Sequence, residues 1–229
     1  MNLPPGIEAL PNGQWVVKGD THHTVWSRQH GNIITDPYLF QWLKPHLEGV
    51  KVVWDIGANI GDHTRQYLDW GMQVVAVEPN PLAHECLFHN CPEAACIPFA
   101  ASDKKEVVRF TQLENIGASR VAAEGELQIE ARPMDELLKN LPAPDFVKLD
   151  IEGHEAFAII GMAGTLTRHK PILFVEMNAG ALAAQGHNVE GLRDMIEHLG
   201  YYAAALYPPE ATWDDLQFDV LFKSKPIPE

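Results

Sequence analysis

Acidic and imidazole side chains cluster in the segment KLDIEGHE, where Asp150, Glu152, His154 and Glu155 fall within six residues. Carboxylates and a histidine of near-neutral pKa can accept the proton of a hydroxyl group, so this spacing is typical of a general-base site. The alternative for the two glutamates is structural, since carboxylates at a helix start stabilise it by about 0.3–1 kcal/mol each. We predict a functional role for Asp150 in particular, because it ends an apolar strand.

A second acidic group surrounds a glycine turn in the segment VVWDIGANIGDHT, residues 52–64. A turn that binds a dinucleotide needs glycines at its first, third and sixth positions. Counted from Gly57, the third and sixth positions hold Asn59 and Asp62. No Lys-Ser/Thr pair follows Gly61, as a P-loop requires. The turn therefore disfavours phosphate ligands, and with them a nicotinamide oxidoreductase.

The ligand that fits these residues is a nucleoside with a positive charge and no phosphate. Glu78, at the end of the next predicted strand, can accept hydrogen bonds from both ribose hydroxyls. Asp55 can face a cationic amino-acid group, and His63, directly after the turn, can contact the carboxylate of that group. Adenosine joined to an amino acid through a sulfonium has these features, so the residues predict S-adenosylmethionine as the cofactor.

Strands and helices alternate after residue 50, which predicts βαβ units and a parallel sheet. Because the C-terminal ends of parallel strands meet at one edge of the sheet, Asp55, Glu78 and Asp150 are expected close together. Asn80 followed by Pro81 is a strong start signal for the helix after the second strand. The predicted strands lie at 51–56, 72–78, 94–100, 145–150 and 171–178.

The remaining pattern predicts further strands and one long helix. Two edge strands, 106–113 and 126–133, flank a polar loop. The segments 201–207 and 218–224 are predicted to pair and close the sheet at its edge. A helix is predicted from about Glu152 to Thr167.

The first fifty residues are less regular, and we predict that they form an extension packed on the main domain. The predicted division is 1–50 for the extension and 51–229 for the main domain. Two adjacent histidines in the extension, His22 and His23, are expected at the surface, where polar residues of irregular segments usually lie.

The composition of the 229 residues is that of a folded globular chain. Lys and Arg number 17 against 31 Asp and Glu, a formal charge of −14, which disfavours nucleic-acid and membrane partners. No leader pattern precedes the first strand and no apolar run reaches about 18 residues, so we expect a cytoplasmic protein. The spacing of Cys86, Cys91 and Cys96 does not match a zinc site. The oligomeric state is left open.

Seven short motifs follow one another in the order found in a known family. They are DIGANIGDHT, AVEPNP, AASDKKE, ENIGASR, PMDELL, VKLDIEGHE and ILFVEMN, and they extend from Val52 to about Met177. In these motifs and their order, the chain resembles the FkbM-family methyltransferases of the class I S-adenosylmethionine-dependent fold. The joint presence of EPNP and KLDIEGHE is the most specific part of the resemblance. It implies a Rossmann-like α/β fold with a mostly parallel seven-stranded sheet, an antiparallel C-terminal strand and helices on both faces.

The resemblance also implies where the cofactor and the acceptor bind. Asn115 and Ser119, in the polar loop, resemble the family's Asn-Gly-Ser segment and are predicted to contact the substrate and help to close the site. The candidate catalytic residues are Asp150, Glu152, His154 and Glu176. The residues predicted to bind the cofactor are Asp55, Gly57, Asn59 and Gly61 in the turn, His63 after it, Glu78, Pro79 and Asn80 near the ribose, Ala101, Ser102 and Asp103 near the adenine, and Asp150 beside the methionine part.

The implied reaction transfers the sulfonium methyl group to a hydroxyl oxygen of a small molecule, sugar or glycan and leaves S-adenosylhomocysteine. The methyl group is already activated, so the protein supplies orientation, exclusion of water and a base for the hydroxyl proton. We expect no metal, and a divalent ion held by Asp150, Glu152 and Glu176 is the less favoured alternative. The competing function is a nucleoside-binding or assembly protein with the same fold and no turnover.

Overall fold

Thirteen strands form three sheets in residues 3–137 and 139–225, the part of the chain that the structure, a computed structural model, describes. In chain order the strands are β1 (Ile7–Ala9), β2 (Trp15–Val17), β3 (Val52–Ile56), β4 (Gln73–Val77), β5 (Ala95–Ile97), β6 (Ala100–Ser102), β7 (Glu106–Thr111), β8 (Arg120–Val121), β9 (Leu127–Pro133), β10 (Phe146–Leu149), β11 (Ile172–Asn178), β12 (Tyr201–Tyr207) and β13 (Gln217–Ser224).

Helices connect most of these strands. The α-helices of the described residues are α1 (His23–His30), α2 (Pro37–Leu43), α3 (Asp62–Asp69), α4 (Pro81–Asn90), α5 (Met134–Leu137), α6 (Glu155–Gly161), α7 (Ala163–His169), α8 (Ala179–Ala184) and α9 (Val189–His198). Short 3-10 helices lie at Lys44–Leu47 and Ile116–Ala118. Within the described residues, no helix combines the length and the apolar character that crossing a membrane requires.

The central sheet has seven strands in the order β12-β13-β11-β10-β3-β4-β5. Its neighbouring strands are parallel except where β13 runs antiparallel to both β11 and β12. The predicted fold class and the closing pair of strands are therefore confirmed. From β3 the chain builds outward to β5 and then returns to β10 on the other side of β3, so the strand order reverses between β3 and β10. Open sheets of this type bind their ligands at such a reversal.

Apolar side chains cover both faces of the central sheet. Leu173 and Val175 of β11 pack in one buried cluster with Trp54, whereas Phe174 packs in another with Val53. Successive side chains of a strand point to opposite faces, so a strand that is covered on both faces is apolar along its whole length. This accounts for the apolar run 172–175 at the start of β11.

The helix after β10 begins later than predicted. Glu152 and Gly153 have left-handed backbone angles, with φ of 55° and 102°, so the chain makes a turn before α6 begins at Glu155. The expected single helix to Thr167 is also divided, because Met162 separates α6 from α7. The turn moves the side chain of Glu152 off the helix and leaves it beside the strand ends.

The two strands predicted around the polar loop are present as β7 and β9, but they are not edge strands, because both lie inside a separate sheet. β7 and β9 pair antiparallel in a four-stranded sheet of order β6-β9-β7-β8. The predicted strand 94–100 also divides, with β5 in the central sheet and β6 in the second one. Pro98 lies between them and has no N–H for strand pairing, which explains the break. The second sheet has its own buried side chains, among them Phe110 and Ile129.

Residues 3–50 contain the small β1-β2 sheet, α1 and α2. Their apolar side chains Ile7, Val16 and Ile33 share a buried cluster with Ile60 and Ile116 from later in the chain. The extension therefore contacts both the glycine turn and the polar loop. The domain boundary at residue 50 stays a prediction.

Candidate functional site

A cavity of about 320 Å³ opens at the C-terminal ends of β3, β4 and β10, where the strand order reverses. Its volume lies within the range of small-molecule sites, about 300–1,000 Å³. The predicted site residues that line it are Gly57, Asn59, His63, Glu78, Pro79, Ala101, Asn115, Ser119, Asp150, Glu152, His154 and Glu176. Five other predicted residues do not line it: Asp55, Gly61, Asn80, Ser102 and Asp103.

The two glycines of the turn have different neighbours. Gly57 has a φ of 84°, and a Cβ added there would overlap the backbone carbonyl oxygen of Asp150. Its N–H donates to the carbonyl of Val77 at 2.9 Å, so the ends of β3, β4 and β10 meet at this residue. Gly61 faces α4 instead, where a Cβ would lie 2.8 Å from Cys91 Sγ. Gly57 therefore shapes the cavity, and Gly61 allows α4 to pack against the turn.

Glu78 lines the cavity with a carboxylate that the backbone holds in place. Its Oε2 accepts the N–H of Asn59 at 2.9 Å, and its Oε1 accepts the N–H of Asn80 at 2.7 Å. Each oxygen keeps a second lone pair for a ligand hydroxyl. Burial raises the pKa of Glu78 to about 7, against the effect of the two N–H groups. Asn80 itself caps α4 by accepting the N–H groups of Leu82 and Ala83, which confirms the predicted helix start.

Asp55 lies beneath the cavity rather than on its wall. Its carboxylate is fully buried, with Oδ2 accepting the hydroxyl of Thr64 at 2.6 Å. The cation beside it is Lys148, whose Nζ lies 3.8 Å from Asp55 Oδ1 and 3.2 Å from Asp150 Oδ2. Lys148 also donates to the carbonyl of Gly57 at 2.9 Å. Burial raises the pKa of Asp55, and Lys148 opposes this rise.

Sequence reasoning missed Lys148, although its position carried a signal. A lysine within a buried strand is rare unless it has a partner. In the register of the parallel sheet, Lys148 lies directly beside Asp55. Burial lowers the pKa of Lys148, but Asp150 and Asp55 outweigh burial and hold this pKa above its ordinary value.

The expectation that His22 and His23 lie at the surface is wrong for His23. His22 is exposed at the cavity rim, but His23 is only 4% exposed and lines the cavity as well. His23 Nδ1 lies 3.4 Å from Asp20 Oδ2, and its Nε2 lies 3.6 Å from Asp62 Oδ2. Burial opposes protonation, but these carboxylates raise the pKa of His23 to about 9. The extension therefore places a cation against the glycine turn.

Three carboxylates converge at one end of the cavity, and we call Asp150, Glu152 and Glu176 the carboxylate cluster. One oxygen from each lies within 4.8 Å of the other two. Glu176 is buried, and its Oε1 accepts from Gln217 Nε2 at 2.7 Å. Burial, together with Asp150 and Glu152, raises the pKa of Glu176 well above its ordinary value. Such a group can take up a proton or hold a hard cation.

His154 lies with the residues predicted near the adenine rather than with the carboxylate cluster. Its Nε2 is 3.3 Å from Ser102 Oγ, and its ring stacks on Phe157 at 4.5 Å. Ser102 in turn donates to Asp103 Oδ1 at 3.2 Å. Burial lowers the pKa of His154 to about 4, although Asp103 acts in the opposite direction. This hydrogen bond makes His154 a less suitable base than the cluster.

Glu155 has the structural role that the sequence left open. Its Oε1 accepts the backbone N–H groups of Ile151 at 3.0 Å and Gly153 at 3.1 Å, so it closes the turn before α6. The side chain is fully buried and does not line the cavity. Glu152, in contrast, lines the cavity.

The polar loop covers the cavity from the side of the second sheet. Asn115 Oδ1 accepts the N–H of Gly117 at 3.2 Å, and Ser119 Oγ accepts the N–H of Leu113 at 3.0 Å. Asp20 in the extension accepts the N–H of Ile116 at 3.1 Å. The extension and the polar loop are therefore tied together beside the cavity.

The wall of the cavity is strongly acidic. The carboxylate side chains among its described lining residues are Asp62, Glu78, Asp150, Glu152 and Glu176, against two cations, Lys148 and the protonated His23. An anionic ligand such as a pyrophosphate would be repelled here, and a cationic one attracted.

Comparisons with known proteins point to one family. The family profile described as "Methyltransferase FkbM domain" matches residues 55–202, well over half of the chain. Over 150 residues the chain is 33% identical to the hexuronic acid methyltransferase AglP of Haloferax volcanii. That alignment covers 62% of this chain and 62% of the relative, so the chain spans less than two thirds of its length.

Solved structures agree on the fold. An FkbM methyltransferase from Methylobacillus flagellatus KT matches 76% of this chain and 43% of its own chain, with a TM-score of 0.52 and 21% identity. A TehB-like methyltransferase from Corynebacterium glutamicum matches 90% of this chain and 98% of its own, with a TM-score of 0.52 and 12% identity. At such identities the similarity concerns the fold alone.

Proposed function

Because the chain belongs to the methyltransferase FkbM domain family, we propose that it transfers a methyl group from S-adenosylmethionine to a hydroxyl oxygen of a sugar or a related small molecule. The observation that carries the proposal is the acidic cavity at the strand reversal, with Glu78 on one side and the carboxylate cluster on the other. A cationic nucleoside suits such a cavity, and a phosphate does not.

The cofactor would lie across the C-terminal strand ends. Glu78 would accept the ribose hydroxyls through its free lone pairs, in charge-assisted hydrogen bonds. The adenine would lie against Phe99 and Ala101, which line the apolar side of the cavity. The methionine part would extend past Gly57 toward Asp150. Lys148 would orient Asp150 and balance part of the buried negative charge.

The reaction would be an in-line displacement. The bond between sulfur and the methyl carbon breaks as the bond between that carbon and the acceptor oxygen forms, and S-adenosylhomocysteine leaves. The hydroxyl proton must pass to a base. The carboxylate cluster is favoured over His154, since His154 is hydrogen-bonded to Ser102. Asn115 and Ser119 would help to exclude water from the reacting atoms.

A sugar is the acceptor class that the relatives favour. The Haloferax volcanii protein is named for its action on a hexuronic acid. A sugar presents several hydroxyl groups, and the rim of the cavity offers polar partners for them, among them Asn115, Gln217 and His22.

Methyl transfer from isotopically labelled cofactor is the direct test of this function. The protein is incubated with labelled S-adenosylmethionine and a panel of sugars, uronic acids and small alcohols, and the products are analysed by mass spectrometry. We expect one acceptor class to gain a single methyl group with equimolar S-adenosylhomocysteine. If the protein binds the cofactor but transfers label to no member of a broad panel, the alternative of a non-catalytic nucleoside-binding protein is favoured.

A further inference from the structure

The carboxylate cluster has more acidic groups than one proton transfer requires. We propose that Asp150, Glu152 and Glu176 bind a hard divalent cation such as Ca²⁺ at the acceptor end of the cavity. The three residues come from the end of β10, from the left-handed turn after it and from β11.

The spacing of the cluster matches the coordination shell of such an ion. One oxygen from each carboxylate lies within 4.8 Å of the other two. Two oxygens on the same ion can be separated by at most twice the metal–oxygen distance, which is about 4.6–5.2 Å for Ca²⁺ and about 4.0–4.2 Å for Mg²⁺. Oxygens that lie no more than 4.8 Å apart can therefore share an ion of Ca²⁺ size with the side chains as they stand.

Glu176 independently indicates a ligand. The residue is only 7% exposed, yet it lines the cavity. Gln217 donates to Oε1, but Oε2 is buried and has no hydrogen-bond partner within the described part of the chain. A buried acceptor without a partner costs about 1–3 kcal/mol, and more if it is charged. The orientation of Glu176 toward the cavity is therefore best explained by a ligand that Oε2 binds.

The protein neutralises the cluster only in part with its own cations. Lys148 contacts Asp150 but is also held by the carbonyl of Gly57. In residues 3–137 and 139–225, no lysine or arginine forms an ion pair with Glu152 or Glu176. Lys148 and the sulfonium of the cofactor together bring two positive charges against three carboxylates, so a further cation or a proton is needed to balance them.

The ion would also select the acceptor, an inference that rests on the proposed function. A uronic acid carries a carboxylate, which three ionised carboxylates would repel. Ca²⁺ takes about six to eight oxygen ligands, so several positions remain after three protein oxygens have bound. Hydroxyl or carboxylate oxygens of an acidic sugar can fill these positions. The acceptor class is therefore an oxygen-rich, anionic sugar bound through the ion.

Binding of Mn²⁺ to the full-length protein tests the site without cofactor or acceptor. The protein is stripped with a chelator and titrated with Mn²⁺, and the free ion is followed by its paramagnetic resonance signal. We expect one saturable equivalent that an excess of Ca²⁺ displaces. Glu176→Gln and Glu152→Gln, which keep the side-chain volume, should each weaken binding at least tenfold. Glu85→Gln, an exposed glutamate on α4, is the matched control and should leave binding unchanged.

Two results would overturn the site. One is the lack of saturable Mn²⁺ binding up to millimolar concentration by wild-type protein with a normal thermal unfolding curve. The other is equal weakening by Glu85→Gln and Glu176→Gln, which would reflect the overall charge rather than a site. Since neither cofactor nor acceptor is present, this test fails or succeeds independently of the test for methyl transfer.

Discussion

Two buried glutamates line the same cavity, and their surroundings differ. Glu78, after β4, accepts a backbone N–H on each carboxylate oxygen, from Asn59 and Asn80. Glu176, in β11, accepts one side-chain N–H from Gln217 and faces two more carboxylates. The chain itself therefore gives each oxygen of Glu78 a hydrogen-bond donor, at the end of the cavity proposed for the cofactor. The acceptor end, around Glu176, needs a proton or a cation from outside.

The largest effect on stability and cofactor binding is expected at Gly57, where the backbone shapes the proposed cofactor site. Gly57→Ala would place a Cβ against the carbonyl oxygen of Asp150 at a φ of 84°. Left-handed strain and overpacking together should lower the free energy of unfolding by about 3–5 kcal/mol and abolish cofactor binding. Urea unfolding and calorimetric titration measure the two effects.

Gly13→Ala is the control for this change. Gly13 has a similar φ of 88°, but a Cβ there meets no atom within 4 Å. Its substitution should cost only the left-handed strain, about 1–2 kcal/mol. Equal losses in the two variants would contradict the close approach of Gly57 to Asp150.

The second-largest effect is expected from Glu78→Ala, which should weaken cofactor binding. The loss of two charge-assisted hydrogen bonds to ribose should weaken S-adenosylmethionine binding by about 1.5–3 kcal/mol, or about 10- to 150-fold in Kd. Titration calorimetry measures the change, with Glu85→Ala as the exposed control. An unchanged Kd would remove Glu78 from the cofactor site.

The ion pairs of His23 should make stability depend on pH. Its pKa in the folded chain is raised from 6.5 to about 9. The stabilisation is therefore complete below about pH 6.5 and is lost as the pH rises through about 9. Wild type should exceed His23→Gln by about 1–2 kcal/mol at pH 6, and the difference should shrink toward zero above pH 9. Groups common to both proteins cancel in this comparison, so a difference that is constant with pH would argue against the paired, charged His23.

The smallest expected effect is a gain in stability, from a substitution at the end of the cavity proposed for the acceptor. Glu176→Gln removes a buried carboxylate that faces two others, so it should raise the free energy of unfolding by about 1 kcal/mol in metal-free buffer. Glu78→Gln should lower it, because the new NH₂ group would face a backbone N–H. Thermal unfolding of both variants measures these changes. An equal loss of stability in the two variants would contradict the difference proposed between the two glutamates.

The sequence was largely sufficient to predict that the residues of the proposed cofactor site lie together. The residues Gly57, Glu78 and Asp150 follow predicted strands, and parallel strands bring their C-terminal ends to one edge. Local periodicity is therefore enough to place them. The start of α4 at Asn80-Pro81 is likewise a local signal, and the structure confirms it.

Pairings between distant segments could not be predicted in this way. The buried His23 has Asp20 and Asp62 as its charge partners, and Asp62 lies far along the chain. The position of Lys148 depends on the sheet register that sets it beside Asp55. The second sheet pairs β6 with β9 in parallel, a contact that the pattern of either strand does not indicate. In each case the decisive partner lies outside the local segment.

The central claim is that the cavity binds a cationic nucleoside and not a dinucleotide. Calorimetric titration of the wild-type protein with S-adenosylmethionine and, separately, with NAD tests this claim most directly. The two ligands share adenosine but differ in charge, since one carries a sulfonium and the other a pyrophosphate. The cavity is acidic, and the glycine turn has Asn59 and Asp62 where a dinucleotide motif has glycines. We therefore expect saturable binding of S-adenosylmethionine with one site per chain, and no binding of NAD. Binding of NAD, or no binding of S-adenosylmethionine up to millimolar concentration, would contradict the account.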